Sequence, residues 1–229
     1  MVQVNPTKLF LRFRFKKQGS LQYISHLDLV RTMHKIIVRA KLPLWYTEGF
    51  NPKPKIIFAA PLSIGTESIC EFMDIRMKEY IDPAEAMARI NANMTEEMQI
   101  TEAYYPETKF TDLKWMSYRI AIHTDGICEK LVSDINAALS APVIEVQKKN
   151  SDKTTDIRPL IKSADAVLSG DRVVINTVLS ADPSSFLNPE YLIKALRDKC
   201  GILSSPDLTS EYYDIMRLNA YFEDMTEFG

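Results

Sequence analysis

The chain has 229 residues, 46% of them hydrophobic and 25% charged, with a formal net charge of −2, which suits one large domain or two small ones, each with its own core. It holds no apolar run of membrane-spanning length, and its first residues alternate rather than build an apolar block, which excludes a membrane helix and a secretory signal and makes the cytoplasm the expected address. Cys70, Cys128 and Cys200 are too scattered for a disulfide framework or a zinc spacing, and are expected as reduced, buried thiols.

The charge is unevenly spread. Residues 1–80 carry 13 Lys and Arg against 6 Asp and Glu, a net +7, and the remaining 149 carry 15 against 24, a net −9. A basic half joined to an acidic one points to a polyanion partner for the former, and equally to an attraction between the two.

In chain order, LFLRFRFKK alternates with period two and predicts a strand: Leu9, Leu11, Phe13 and Phe15 face one way, Phe10, Arg12, Arg14 and Lys16 the other. After Gly19, SHLDLVRTMHKIIVRAKLP predicts a helix capped by Ser25, with Asp28 in its first turn and Leu27, Leu29, Val30, Met33, Ile36, Ile37 and Ala40 as a wide core stripe. Pro43 ends it. PKIIFA and EFMDIRM read as strands, DPAEAMARINANM as a helix with Asp82 as cap and Pro83 at its first position, and MQITEAYY as a closing strand. This βαββαβ order is that of a ferredoxin-like unit over residues 1–110.

Residues 111–229 repeat the order more loosely. WMSYRIAIHT, PVIEVQKK, RVVINTVL and YYDIMRLNAYFE read as strands, ICEKLVSDINAAL and NPEYLIKALRDKC as helices, and NSDKTTDIRPLIKSADAVLSGD as a long connection. The expected fold is α+β, two tandem ferredoxin-like units with antiparallel sheets, the first basic and the second acidic.

YISHLDLVRTMHK, YTEGFNPKPKI with APLSIG after it, EFMDI and the later DIRPLIK closely resemble the bacterial radical-SAM-linked family, a domain of undefined function. The resemblance covers most of the chain. It implies an accessory role beside a radical SAM enzyme and marks His26, Asp28, Glu48, Asn51, Asp156 and Arg158 as motif residues. The chain itself lacks the clustered cysteines that an iron–sulfur cluster requires, and it has neither a phosphate-cradling nor a dinucleotide-binding glycine motif, so no cofactor is expected.

What remains is a cationic surface. One sheet face of a βαββαβ unit can stay free of helices. There Phe10, Arg12, Arg14 and Lys16 resemble a sheet-surface RNA reader, with cations for phosphates and an aromatic for an unpaired base, although the aromatic signature of such readers is missing. Arg31, Lys35 and Arg39 form a basic helix ridge, ordinarily just solvated, which gains meaning if it adjoins Lys53 and Lys55. In the Gly49–Lys55 loop, Gly49 supplies a turn, while Pro52 and Pro54 extend the residues before them, so Lys53 and Lys55 sit on a stiff segment that suits a polyanion or a docking protein.

His26 at a helix start could serve as a general base in RNA cleavage, and a histidine on the first helix is similar to the CRISPR RNA-processing nucleases. Their C-terminal glycine-rich loop is absent here, which ranks that reading second. His34 falls at the core edge. Glu71 and Asp74 lie on opposite strand faces, so no metal site is expected. Asp156 and Arg158, with Lys148, Lys149, Lys153 and Lys162 nearby, could form a structural Asp–Arg contact at a corner, but their place in the family-like motif favours a site shared with the first unit. The expected function is thus a non-catalytic RNA-binding or substrate-presenting accessory protein. The alternatives are an endonuclease using His26 and a scaffold docking through the Gly49–Lys55 loop.

Overall fold

The computed structural model describes residues 9–147, 153–207 and 209–229. Backbone packing divides the chain into one unit that ends at Phe110 and another that runs from Thr111 to Phe228. Both are mixed α+β with antiparallel strand pairing.

The first unit runs β1 (Phe10–Lys17), α1 (His26–Arg39), β2 (Ile56–Phe58), β3 (Thr66–Arg76), α2 (Pro83–Asn91) and β4 (Ile100–Tyr104), the βαββαβ order read from the sequence. Its strands lie in the order β4-β1-β3-β2. Leu11, Phe13 and Phe15 of β1 and Met73 and Ile75 of β3 pack against Leu29, Met33, Ile36 and Ile37 of α1 and Ala86 and Ile90 of α2. α1 starts where the Ser25 hydroxyl accepts from the Asp28 N–H at 3.1 Å, and α2 where Asp82 accepts from Glu85 at 3.1 Å with Pro83 next in line.

The stripe of α1 is narrower than its apolar residues imply. Leu27 is exposed, because two residues along a helix is a 200° turn and Leu29 holds the inward position. β3 begins earlier than EFMDIRM, at Thr66, and β2 is only three residues long.

The second unit runs β5 (Trp115–His123), α3 (Glu129–Leu139), β6 (Glu145–Gln147), β7 (Thr154–Asp156), β8 (Ile161–Ser169), β9 (Arg172–Ser180), α4 (Pro189–Cys200) and β10 (Tyr212–Tyr221). Its long strands lie in the order β10-β5-β9-β8, and among the described residues β6 pairs with β7. Here the strand expectation needs correction. PVIEVQKK supplies just the three residues of β6, and the strand beside β9 is β8, inside the segment read as a connection. β8 is an edge strand with Lys162, Ser163 and Asp165 among its residues, so water on one side obscures the alternation that marks a strand. A two-residue turn with Gly170 at φ +63° closes the β8–β9 hairpin.

Both units secure an edge strand with a helix asparagine. Asn91 of α2 donates to the Ile100 carbonyl at 2.9 Å and accepts its N–H at 2.8 Å, and Asn136 of α3 does the same to Ala166, both at 2.8 Å. The thiols differ from expectation in one respect: Cys70 is buried and Cys200 half-buried, but Cys128, at the mouth of α3, is exposed. Among the described residues no helix is long and apolar enough to cross a membrane.

Candidate functional site

The cationic sheet face expected on β1 is not open. Arg12 is completely buried and makes the following contacts within the first unit. Its Nε and Nη2 reach the two Asp74 carboxylate oxygens at 2.8 and 3.0 Å, Nη1 and Nη2 reach the Thr108 hydroxyl and carbonyl at 2.9 and 3.0 Å, and its guanidinium carbon lies 4.3 Å from the centre of the Phe110 ring. Cross-strand register explains this, since Arg12 lies opposite Asp74 on β3 and Tyr104 on β4. Burial pushes the Asp74 carboxyl above the usual aspartate range, with Arg12 opposing the shift.

Arg14 is half-buried, 3.3 Å from Glu102 and 5.9 Å from the Phe72 ring centre, and Phe10 and Lys16 are half-buried as well. Lys17, which the alternation left unassigned, turns inward at a β-bulge and donates to the carbonyls of Gln22 at 3.1 Å and Thr66 at 3.5 Å.

The exposed cations gather elsewhere, around α1. Arg31, Lys35 and Arg39 line its outer face, and Lys53 and Lys55 are exposed on the segment between α1 and β2. That segment is a hairpin-like arm, not a bare loop. Lys55 donates its N–H to Trp45 at 3.4 Å and Thr47 donates to Lys53 at 2.9 Å, while the Lys53 N–H returns to the Thr47 hydroxyl at 3.1 Å. A bridge pairs Tyr46 with the buried Pro54.

Arg76 of β3 anchors the base. Its carbonyl accepts from Trp45 and its N–H donates to Lys55, both at 3.0 Å, and its guanidinium lies 3.8 Å from the Trp45 ring centre. Gly49 stands at φ +125° with open space where a Cβ would sit, so its requirement is conformational, not steric. Glu48, Asn51 and Pro52 are exposed around it, and Phe50 at the tip is fully exposed.

Two of the segments that carry the family resemblance make contacts near the start of α1. The His26 ring stands edge-on to Phe58 of β2 with centroids 5.6 Å apart. Gly65 of the APLSIG segment donates its N–H to Gln22, just before α1, at 2.9 Å. The Lys53 charge reaches His34 on α1 and, second to burial, holds its imidazole below the ordinary histidine value. Lys53 of the arm is thus within electrostatic reach of α1. His26 is exposed, and Asp28 is engaged with the Ser25 hydroxyl at 2.7 Å and with Arg31 at 3.4 Å.

In the second unit, Asp156 accepts from the N–H groups of Ile144 and Arg158, both at 2.9 Å, which lowers its pKa, and Arg158 donates to the Ile161 carbonyl at 2.8 Å. These bonds form a structural corner where β7 turns into β8. Lys162 lies 5.2 Å from the Trp115 ring centre and Lys153 is exposed, while Lys148 and Lys149 fall outside the described residues. A cleft of about 560 Å³ lies along α4, bordered by Glu190, Tyr191, Lys194, Arg197 and Tyr213. Its charges are partly spent internally, since Tyr213 donates to Glu190 at 2.7 Å and Lys194 to the Gln147 carbonyl at 2.7 Å.

Phe50 and the Trp45–Arg76 anchor are the residues that sequence reasoning missed. An aromatic side chain between a glycine and Asn-Pro, in an otherwise polar turn, was the available signal for Phe50. The anchor carried no such signal, because its partners are far apart in the chain.

No curated protein matches the chain. Among solved structures it is similar to a chain of a Cbf5–Nop10–Gar1 complex, at 11% identity and a TM-score of 0.51 over 92% of this chain, so that it spans about half (48%) of that chain's length. An unknown protein from Galdieria sulphuraria aligns over 92% of this chain and 98% of its own at 8% identity, with a TM-score of only 0.27. The first likeness supports a mixed α+β fold and carries no function with it. A family model extends over residues 11–189, more than half of the sequence, and the chain belongs to that family, described as "Uncharacterized protein conserved in bacteria (DUF2344)".

Proposed function

We propose that the protein is a non-catalytic, RNA-binding accessory protein that holds or presents a substrate for a radical SAM enzyme, and that its RNA surface is the arm and outer face of α1, not the β1 sheet face. One observation carries the reading: five exposed cations, Arg31, Lys35, Arg39, Lys53 and Lys55, lie on α1 and on the arm that follows it, and the Lys53 charge reaches His34 on that helix. Such a cluster in a protein of net charge −2 concentrates positive potential where a phosphate backbone can use it. The radical SAM partner rests on the sequence resemblance, and tandem ferredoxin-like units are the architecture we assign, on the element order of the first unit and the antiparallel order of four strands within each unit.

The test is fluorescence anisotropy with labelled transfer RNA, a ribosomal RNA fragment and duplex DNA across a salt series. Saturable binding that prefers RNA and weakens with salt is expected. Lys53→Ala/Lys55→Ala should weaken binding and make the slope of log affinity against log salt shallower by roughly 2, about 1 for each phosphate that is no longer neutralised. Weak, unsaturable binding in the wild type, or an unchanged slope in the double variant, would sink the proposal.

A further inference from the structure

Resting on that RNA reading, we infer that Phe50 is the base-stacking residue of the surface, and that the preferred ligand is a single-stranded segment with an unpaired base. The hydrophobic effect opposes leaving a phenyl ring fully in water, and Phe50 is the most exposed of the large apolar side chains among the described residues. Its place is fixed by the backbone. The Thr47–Lys53 and Trp45–Lys55 hydrogen bonds and the Arg76 anchor hold the arm, and Gly49 at φ +125° makes the turn that carries the ring outward. An aromatic presented on a pre-organised tip loses little freedom on binding.

The neighbouring charges define the occupant. Lys53 and Lys55, exposed on the same arm, call for a polyanion, while the ring calls for a flat apolar face. Duplexes satisfy the first demand and hide their base faces in the stack. A single strand offers both, a charged backbone and splayed bases. Glu48 and Asn51, exposed on either side of Phe50, add an acceptor and an amide able to meet base edges.

The experiment uses the full chain with a short single-stranded oligoribonucleotide carrying 2-aminopurine, whose fluorescence is quenched on stacking, and with its duplex. Phe50→Ala should weaken single-strand binding roughly tenfold, as expected for the loss of one stacked base. It should also abolish the quench and leave both the salt slope and duplex binding unchanged, while Phe50→Trp keeps the quench. If Phe50→Ala binds and quenches like the wild type while Lys53→Ala/Lys55→Ala loses affinity, the stacking role is overturned and the RNA surface stands. If the wild type binds neither RNA in a saturable, salt-sensitive way, both fall, and Phe50 is better understood as an anchor for a protein pocket.

Discussion

Arg12 and Tyr213 show how burial turns a polar side chain into a structural one. Removing a guanidinium from water costs several kcal/mol, and Arg12 offsets it with a two-point contact to Asp74 and two more hydrogen bonds to Thr108. Arg12→Ala would strand the Asp74 carboxylate, so we expect a loss of about 3–5 kcal/mol. Replacing both partners, Arg12→Met with Asp74→Leu, should recover much of it, since neither charge then needs solvation. Urea unfolding midpoints check both, and any loss of RNA binding in Arg12→Ala should follow the loss of fold. Tyr213 stays protonated unusually long, because burial first and then the hydrogen bond to Glu190 push its pKa from 10 to about 12. The unfolded phenol ionises first, so this contribution to stability is complete below about pH 10 and disappears as pH rises through about 12. A phenolate absorbance titration should show late-ionising tyrosines, one fewer of them in Tyr213→Phe, since burial also raises Tyr104 and Tyr105.

At the scale of elements, the arm between α1 and β2 matters most, because it places charge on a surface the helix has already made basic. A solvated helix ridge alone is ordinary. The arm changes its meaning: hydrogen bonds to Trp45 and Arg76 fix where Lys55 stands, bonds to Thr47 fix Lys53, and the Lys53 charge reaches His34. Removing that charge with Lys53→Ala should raise the His34 pKa part of the way to its ordinary value. The remaining depression comes from burial, the larger of the two causes. An NMR titration of the imidazole reads this directly, and no change would mean that the arm does not hold Lys53 near α1.

Across the whole molecule, net charge misleads and distribution informs. The positive excess lies within residues 1–80, yet part of it, Arg12 and Arg14, is paired with Asp74 and Glu102 inside the first unit. Most of the cations still exposed there lie on α1 and the arm, so those are the groups that would displace counterions from a bound RNA. In the second unit Asp156 and Arg158 are engaged in the corner before β8, and the Lys114–Asp182 pair joins the start of β5 to the chain just beyond β9.

By itself the sequence determined the first unit's element order, the caps at Ser25 and Asp82, and the turn-forming character of Gly49. These rest on local rules: period-two alternation, side-chain capping of free N–H groups and the freedom of a residue without Cβ. Only the tertiary structure decided which cations meet water. Alternation places Arg12 on a face, but Asp74, Thr108 and Phe110, distant in the chain, enclose it there. β8 eluded the sequence for a related reason, because an edge strand with solvent on one side shows a weakened apolar pattern. Phe50 is exposed because the arm's cross-hairpin bonds and its Arg76 anchor turn the tip outward, and such long-range contacts are made by folding rather than by sequence neighbours.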